Sequence, residues 1–163
     1  MNWSVVIMGV AGCGKSSLGA IVADAKSLPF IEGDDFHSAT NRSKMSKGIP
    51  LNDKDRDGWL SVLSEQLQIA PNGIVLSCSS LKRKYRDRLR MASPGLRFVF
   101  LDLTREIALL RVSARASHFL PASLIESQFS TLESPVDELD VLTLDATESL
   151  DQLQYRVSVW LQK

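Results

Sequence analysis

Gly9-Val10-Ala11-Gly12-Cys13-Gly14-Lys15-Ser16 is the stretch that decides how this chain reads. It fits G-x-x-x-x-G-K-[ST], and Val5-Val6-Ile7-Met8, an apolar and mostly β-branched run, stands directly before it. Directly behind it, Leu18, Ile21, Val22 and Ala25 recur at helical spacing. Strand, glycine loop, helix is the setting this motif requires. The glycines let the backbone bend so that successive N–H groups point inward at a phosphate. The helix N-terminus adds partial positive charge. Lys15 supplies a mobile cation for β- and γ-phosphates, and Ser16 Oγ is the candidate Mg²⁺ ligand. The expectation is a bound nucleoside triphosphate, held by residues 9–16 and Ser17.

Outward from the loop, the chain alternates β and α. Strands are expected over residues 4–8, 29–32, 74–78, 98–101 and 141–144, most of them continuous apolar runs. Helices are expected over residues 14–26, 41–46, from Asp53 as N-cap through Trp59, Leu63 and Leu67, and from Lys82 to the break at Ser93-Pro94-Gly95. Thr104 caps a helix carrying Ile107, Leu110 and Ala114. Pro121 opens one with Leu124, Ile125, Gln128 and Phe129, and Leu150, Leu153, Val157 and Leu161 line the last. Apolar strands between amphipathic helices imply an α/β fold, a parallel sheet covered by helices on both faces. Ligands then bind beyond the carboxyl ends of the strands.

The 163 residues read as one domain. Nineteen Lys plus Arg balance nineteen Asp plus Glu, so net charge argues for neither nucleic acid nor a membrane surface. The reading has no leader and no span long enough for a bilayer. Two cysteines, Cys13 and Cys78, make no disulfide framework and suit a reducing cytoplasm.

Asp34 and Asp35 follow the second strand, where a carboxylate orients an acceptor hydroxyl, takes its proton or holds Mg²⁺ through water; turn chemistry is the competing reading. His37 is either a donor to a sugar hydroxyl or carboxylate, or structural. Lys82 and Arg86 are placed on one face of a basic helix, one turn apart, near the third strand's end. A solvated charged face is the alternative. Arg111 and Arg115 share the same spacing, and Arg115 opens an interruption that is either a lid over a phosphate site or a surface loop. Two decoys are set aside. Phe98-Val99-Phe100-Leu101-Asp102 has the form of a Walker B strand, and Asp55-Arg56-Asp57-Gly58 has the D-x-x-G of GTPases but lies at a helix start.

With these pieces in place the chain resembles bacterial-type gluconokinases over nearly all its length. Gly9 to Ser16 resembles G-V-S-G-S-G-K-[ST], and Gly33-Asp34-Asp35-Phe36-His37 resembles G-D-x-[LYF]-H. Asn41 to Asp53 resembles N-x-x-K-M-x-x-G-x-P-L-x-D, and Asp55-Arg56 with Trp59-Leu60 resembles D-R-x-P-W-L. Cys78 to Lys82 with Tyr85-Arg86-Asp87 and Leu89-Arg90 resembles C-S-[AS]-L-K-x-x-Y-R-D-x-L-R. His118-Phe119, Gln128-Phe129 and Leu132-Glu133 resemble the lid signature. Departures are Cys13 for Ser, Ser38 and Gly58 for Pro, and Ser117 for the lid Gly.

The resemblance implies a nucleoside monophosphate kinase-like fold with a small lid over about residues 115–122, an acceptor-binding segment over about 34–60, and a homodimer. It implies transfer of the ATP γ-phosphoryl group to the 6-hydroxyl of D-gluconate, with Mg²⁺. In that reading Lys15, Asp34 and Arg115 are catalytic and Arg111 joins the nucleotide set. Asp34, His37, Arg56, Lys82, Arg86 and His118 hold the sugar acid. The rivals are a same-fold kinase for shikimate or a nucleotide, and a non-catalytic nucleotide switch. Shikimate kinases carry D-x-D after strand two, whereas here the pair reads as adjacent.

Overall fold

The computed structural model describes residues 3–114 and 121–163. Five strands form one parallel sheet: β1 (Val5–Met8), β2 (Phe30–Glu32), β3 (Val75–Ser77), β4 (Arg97–Asp102) and β5 (Val141–Asp145). Their spatial order is β2-β3-β1-β4-β5, with Val5 level with both Val75 and Arg97. The helices are α1 (Lys15–Lys26), α2 (Ala39–Ser46), α3 (Asp53–Gln68), α4 (Arg83–Ala92), α5 (Arg105–Ser113), α6 (Ala122–Thr131) and α7 (Leu150–Leu161), and a 3₁₀ turn covers Gly33–Phe36.

The period of two in a strand divides the core. Val5 and Ile7 face α1, α5 and α7 through Leu18, Val22, Ala108 and Val157. Val6 and Met8 face α3 and α4 through Trp59, Leu63, Tyr85 and Leu89. All four β1 residues are buried, as a central strand covered on both faces requires. The chain runs from β1 outward to β2 on one side and later crosses from β3 past β1 to β4 on the other, so a crevice opens beyond the carboxyl end of β1.

Two local expectations are corrected. The cap of α3 is Asn52, not Asp53. The Asn52 side chain accepts from Asp55 N while the Asp55 carboxylate accepts from Asn52 N, a reciprocal box that leaves Asp53 in the first turn. In α5 the inward face is Ala108 and Val112, and Leu110 is 68% exposed. Four consecutive apolar residues, Ile107 to Leu110, run round that helix, and periodicity alone does not say which of them faces the sheet. Among the described residues, no helix is long and apolar enough to cross a membrane.

Candidate active site

β1 ends in the glycine loop. Gly12 and Gly14 sit at φ 84° and 95°, the left-handed region a side chain rarely adopts. Gly14 is the N-cap of α1 and offers no side-chain cap, so no side chain of its own competes for the helix's first amides. Lys15 folds across the loop, its Nζ donating to Val10 O at 3.1 Å. From the far side, Gln128 of α6 reaches in, and its Oε1 accepts from Ala11 N at 2.6 Å.

The second wall is the end of β2. Glu32 accepts from Ser16 Oγ on one carboxylate oxygen and from Ser77 Oγ, at 2.5 Å, on the other. Gly33 makes this approach fit: a Cβ there would lie 2.3 Å from Ser77 O. Ser16 Oγ and the Glu32 carboxylate are hard oxygen donors in mutual contact beside the loop. Mg²⁺ takes few protein oxygens and keeps the rest of its shell as water and phosphate, so this pair suits it.

The third wall is built by Asp34, His37 and Arg56. Asp34 projects into the cleft, its side chain 67% exposed. His37 is buried and stacked on Trp59, ring centroids 4.2 Å apart and planes 16° from parallel; Trp59 Nε1 donates to Gly33 O at 2.8 Å. Burial pushes the imidazole pKa below its ordinary 6.5. Asp34 opposes that shift, and the Arg56 and Arg42 charges reinforce it. The ring is therefore neutral at pH 7. Arg56 is braced by donation to Leu51 O at 2.7 Å and to Tyr85 Oη at 3.2 Å, its guanidinium 5.5 Å from the centre of that ring.

Ala11, Gly12, Gly14, Lys15, Ser16, Ser17, Asp34, His37 and Arg56 thus line one cleft of about 570 Å³. Val10 and Cys13 turn their side chains into the core, leaving only backbone to the loop, and Gly9 begins the bend at φ 147°. Arg111 sits behind the loop, donating to Gly12 O at 3.1 Å and Ala146 O at 2.9 Å. Lys82 lies outside the cleft lining, paired with Asp53 at 3.0 Å; Lys84 and Tyr85 Oη share that carboxylate and hold it well below the ordinary range. Arg115 and His118 fall outside the described residues.

Arg86 is the clear correction. Its side chain is fully buried, and it donates to Glu138, to Ser80 O at 2.7 Å and to Glu133 O at 2.9 Å. The shared face fails because Lys82 is the extended cap of α4, not part of its first turn. Glu32 escaped the sequence reading. Its signal was the spacing Glu32-x-Asp34, masked by the adjacent Asp34-Asp35 pair. The contrast drawn with D-x-D therefore weakens, since two carboxylates two residues apart do flank Gly33. Gln128 was visible only as one residue of a motif. Asp102 is exposed at the end of β4 and lies outside the cleft lining, and Asp55 belongs to the α3 cap and an ion pair with Lys44.

A phosphate loop, a hydroxyl–carboxylate pair beside it and Asp34, His37 and Arg56 in the same cleft are the arrangement of a P-loop kinase. The family model described as "Shikimate kinase" matches residues 11–152. A shikimate kinase structure from Aquifex aeolicus superposes with a TM-score of 0.71 at 16% identity over 98% of this chain and 96% of that one, a likeness of fold. Within that class the chain belongs to the gluconokinase family. It is 44% identical over 152 residues to the thermosensitive gluconokinase of Escherichia coli (strain K12), covering 90% of this chain and 81% of that protein. A gluconokinase structure from Sinorhizobium meliloti 1021 superposes with a TM-score of 0.91 at 42% identity, over 99% of this chain and 94% of that one.

Proposed function

We propose that this chain is an ATP-dependent gluconokinase that phosphorylates the 6-hydroxyl of D-gluconate, giving 6-phosphogluconate and ADP. The observation that carries the reading is the placement of Asp34 and Arg56 across one cleft from Lys15 and Ser16, in a chain of the gluconokinase family. Lys15 exchanges the Val10 carbonyl for the β- and γ-phosphates, and the loop amides hold the rest of the triphosphate. Ser16 and Glu32 would hold Mg²⁺, whose chemistry would be to neutralise the charge that develops on the transferring phosphoryl group. Asp34 orients the acceptor hydroxyl and accepts its proton as the new O–P bond forms and the bond to the β-phosphate oxygen breaks. Arg56 pairs with the sugar-acid carboxylate, a bidentate geometry suited to guanidinium. Arg115 and His118 close from the lid segment, and Arg111 supports the loop from behind. Free, buried Cys13 and Cys78 suit a reducing cytoplasm.

The test is acceptor-dependent ADP release with gluconate, glucose, shikimate and a nucleoside monophosphate. Gluconate is expected to be turned over most efficiently, and preferred turnover of shikimate or the nucleotide overturns the acceptor assignment. Lys15→Ala, with an unchanged circular-dichroism spectrum, is expected to lower kcat by about 10²–10³.

A further inference from the structure

Asn41 lies beneath the cleft, 4% exposed, and its side chain resolves a question that a histidine usually leaves open. Its Nδ2 donates to Asp55 O at 2.8 Å. A backbone carbonyl only accepts, so the atom at that position is the amide nitrogen, and the orientation of the carboxamide follows from chemistry. The same Nδ2 lies 3.3 Å from His37 Nδ1. An amide nitrogen carries two hydrogens and accepts none, so Nδ1 must be the acceptor. A neutral imidazole holds one proton, which therefore sits on Nε2. Nε2 is the ring atom nearest Asp34 Oδ1, 3.7 Å away, a spacing that a small turn of the exposed Asp34 side chain would shorten to a hydrogen bond. Trp59 fixes the ring plane by stacking. Asp34, Arg42 and Arg56 are the charged groups acting on this ring, and their balance with burial leaves it neutral at pH 7.

We propose that Asn41 is a positioning residue that locks His37 as the Nε2–H tautomer, so that the ring presents a hydrogen-bond donor to the Asp34 carboxylate and aims it at the acceptor hydroxyl. In the other tautomer the Nε2 lone pair faces a carboxylate, and the exposed Asp34 side chain turns away. The kinetic half of this proposal rests on the kinase reading above; the tautomer half does not.

The wild-type chain, with ¹⁵N-labelled histidine, decides the tautomer by two-bond ¹⁵N–¹H correlation at pH 7.5 without any substrate. There are two histidines, and a His118→Gln variant assigns them. A protonated-type Nε2 and an unprotonated-type Nδ1 at His37 are expected; the reverse pattern, or averaged shifts, overturns the proposal. Asn41→Asp replaces a donor by an acceptor of the same size. It is expected to move the His37 proton to Nδ1 and to lower kcat about 10–100-fold with KM for ATP unchanged, the scale of a misaimed group. Asn41→Ser, which also lacks the amide donor, is the second variant should the Asp form fold poorly. A changed tautomer with kcat per folded molecule unaltered sinks the link to Asp34. The kinetic arm uses whichever acceptor the screen above finds turned over, so failure of the gluconate assignment is read separately.

Discussion

Two arginines that look alike in the sequence are divided by their surroundings. Arg56 lines the cleft, while Arg86 is sealed inside with Glu138, where Arg90 also reaches the carboxylate at 2.8 Å. Burial pushes the Glu138 pKa up, but these two guanidinium groups outweigh it and hold the acid below its ordinary value. Arg86→Ala therefore leaves the buried carboxylate with Arg90 alone and strips Ser80 O and Glu133 O of this donor. It is expected to cost about 3–5 kcal/mol in urea unfolding. KM for gluconate should stay at the wild-type value in the protein that remains folded, since Arg86 does not reach the cleft. The chemistry of a residue was legible at each of these positions, but its direction was not. Lys82 and Arg86 have the spacing of helix neighbours, and only the chain path shows that one is a cap and the other a core side chain. His37 carries its own signature. Its pKa in the fold lies below the 6.5 of the free side chain, so between those values the unfolded chain binds more protons. Stability is then full above about pH 6.5 and is lost as pH falls below it. Melting temperatures at pH 7.5, 6.5 and 5.5 should drop more steeply for the wild type than for His37→Gln.

At the scale of elements, the C-terminal half of α6 and the residues just beyond it are tied to two loops around the site. Its Gln128 accepts from the glycine loop at Ala11 N. Just beyond its end, Glu133 N donates to Leu81 O at 2.7 Å and Glu133 O accepts from Arg86. This helix follows the segment expected to be a lid, and its footing on the glycine loop is a direct contact between α6 and the loop. Gln128→Ala should cost about 1 kcal/mol or less of global stability, one hydrogen bond at the edge of a cleft. Hydrogen exchange should nonetheless rise in α6 and in residues 9–12. A magnesium–ATP analogue should restore protection to residues 9–12, whose amides then meet phosphate, and not to α6. Equal restoration of both would show that Gln128 does not carry the connection. The existence of these helices was readable from periodicity, and Thr104 was readable as a cap because its side chain accepts from Ile107 N. Asn52 and Asp53 are both good caps by type, and only the box with Asp55 separates them. Which side of α5 faces the sheet was not readable, because its apolar residues surround it.

Across the whole molecule, the sheet puts the phosphate loop and its carboxylates at one edge: the loop after β1, Glu32 at the end of β2, Asp34 just after it, and Ser77 at the end of β3. That much followed from continuous apolar strands and a single loop motif, since a parallel α/β sheet has its ligands at the carboxyl ends. What did not follow was how many cations face the acceptor. The sequence offered Arg56, Lys82, Arg86 and, as a further candidate, His37. Of the three described arginines and lysines among them, Arg56 alone lines the cleft, because Lys82 and Arg86 are spent on Asp53 and Glu138. Among the described residues, discrimination between an anionic and a neutral sugar is then expected to fall largely on one guanidinium. A charged hydrogen-bonded pair contributes about 1.5–3 kcal/mol, which corresponds to about 10–150-fold in kcat/KM for gluconate over glucose. Arg56→Ala should bring that ratio down toward one, mostly through a higher KM for gluconate, and leave KM for ATP near its wild-type value. Steady-state ADP release with both sugars, for wild type and variant, measures the ratio directly. A ratio that survives the substitution would place the carboxylate elsewhere, with Arg115 or His118, outside the described residues, as the next partners to substitute.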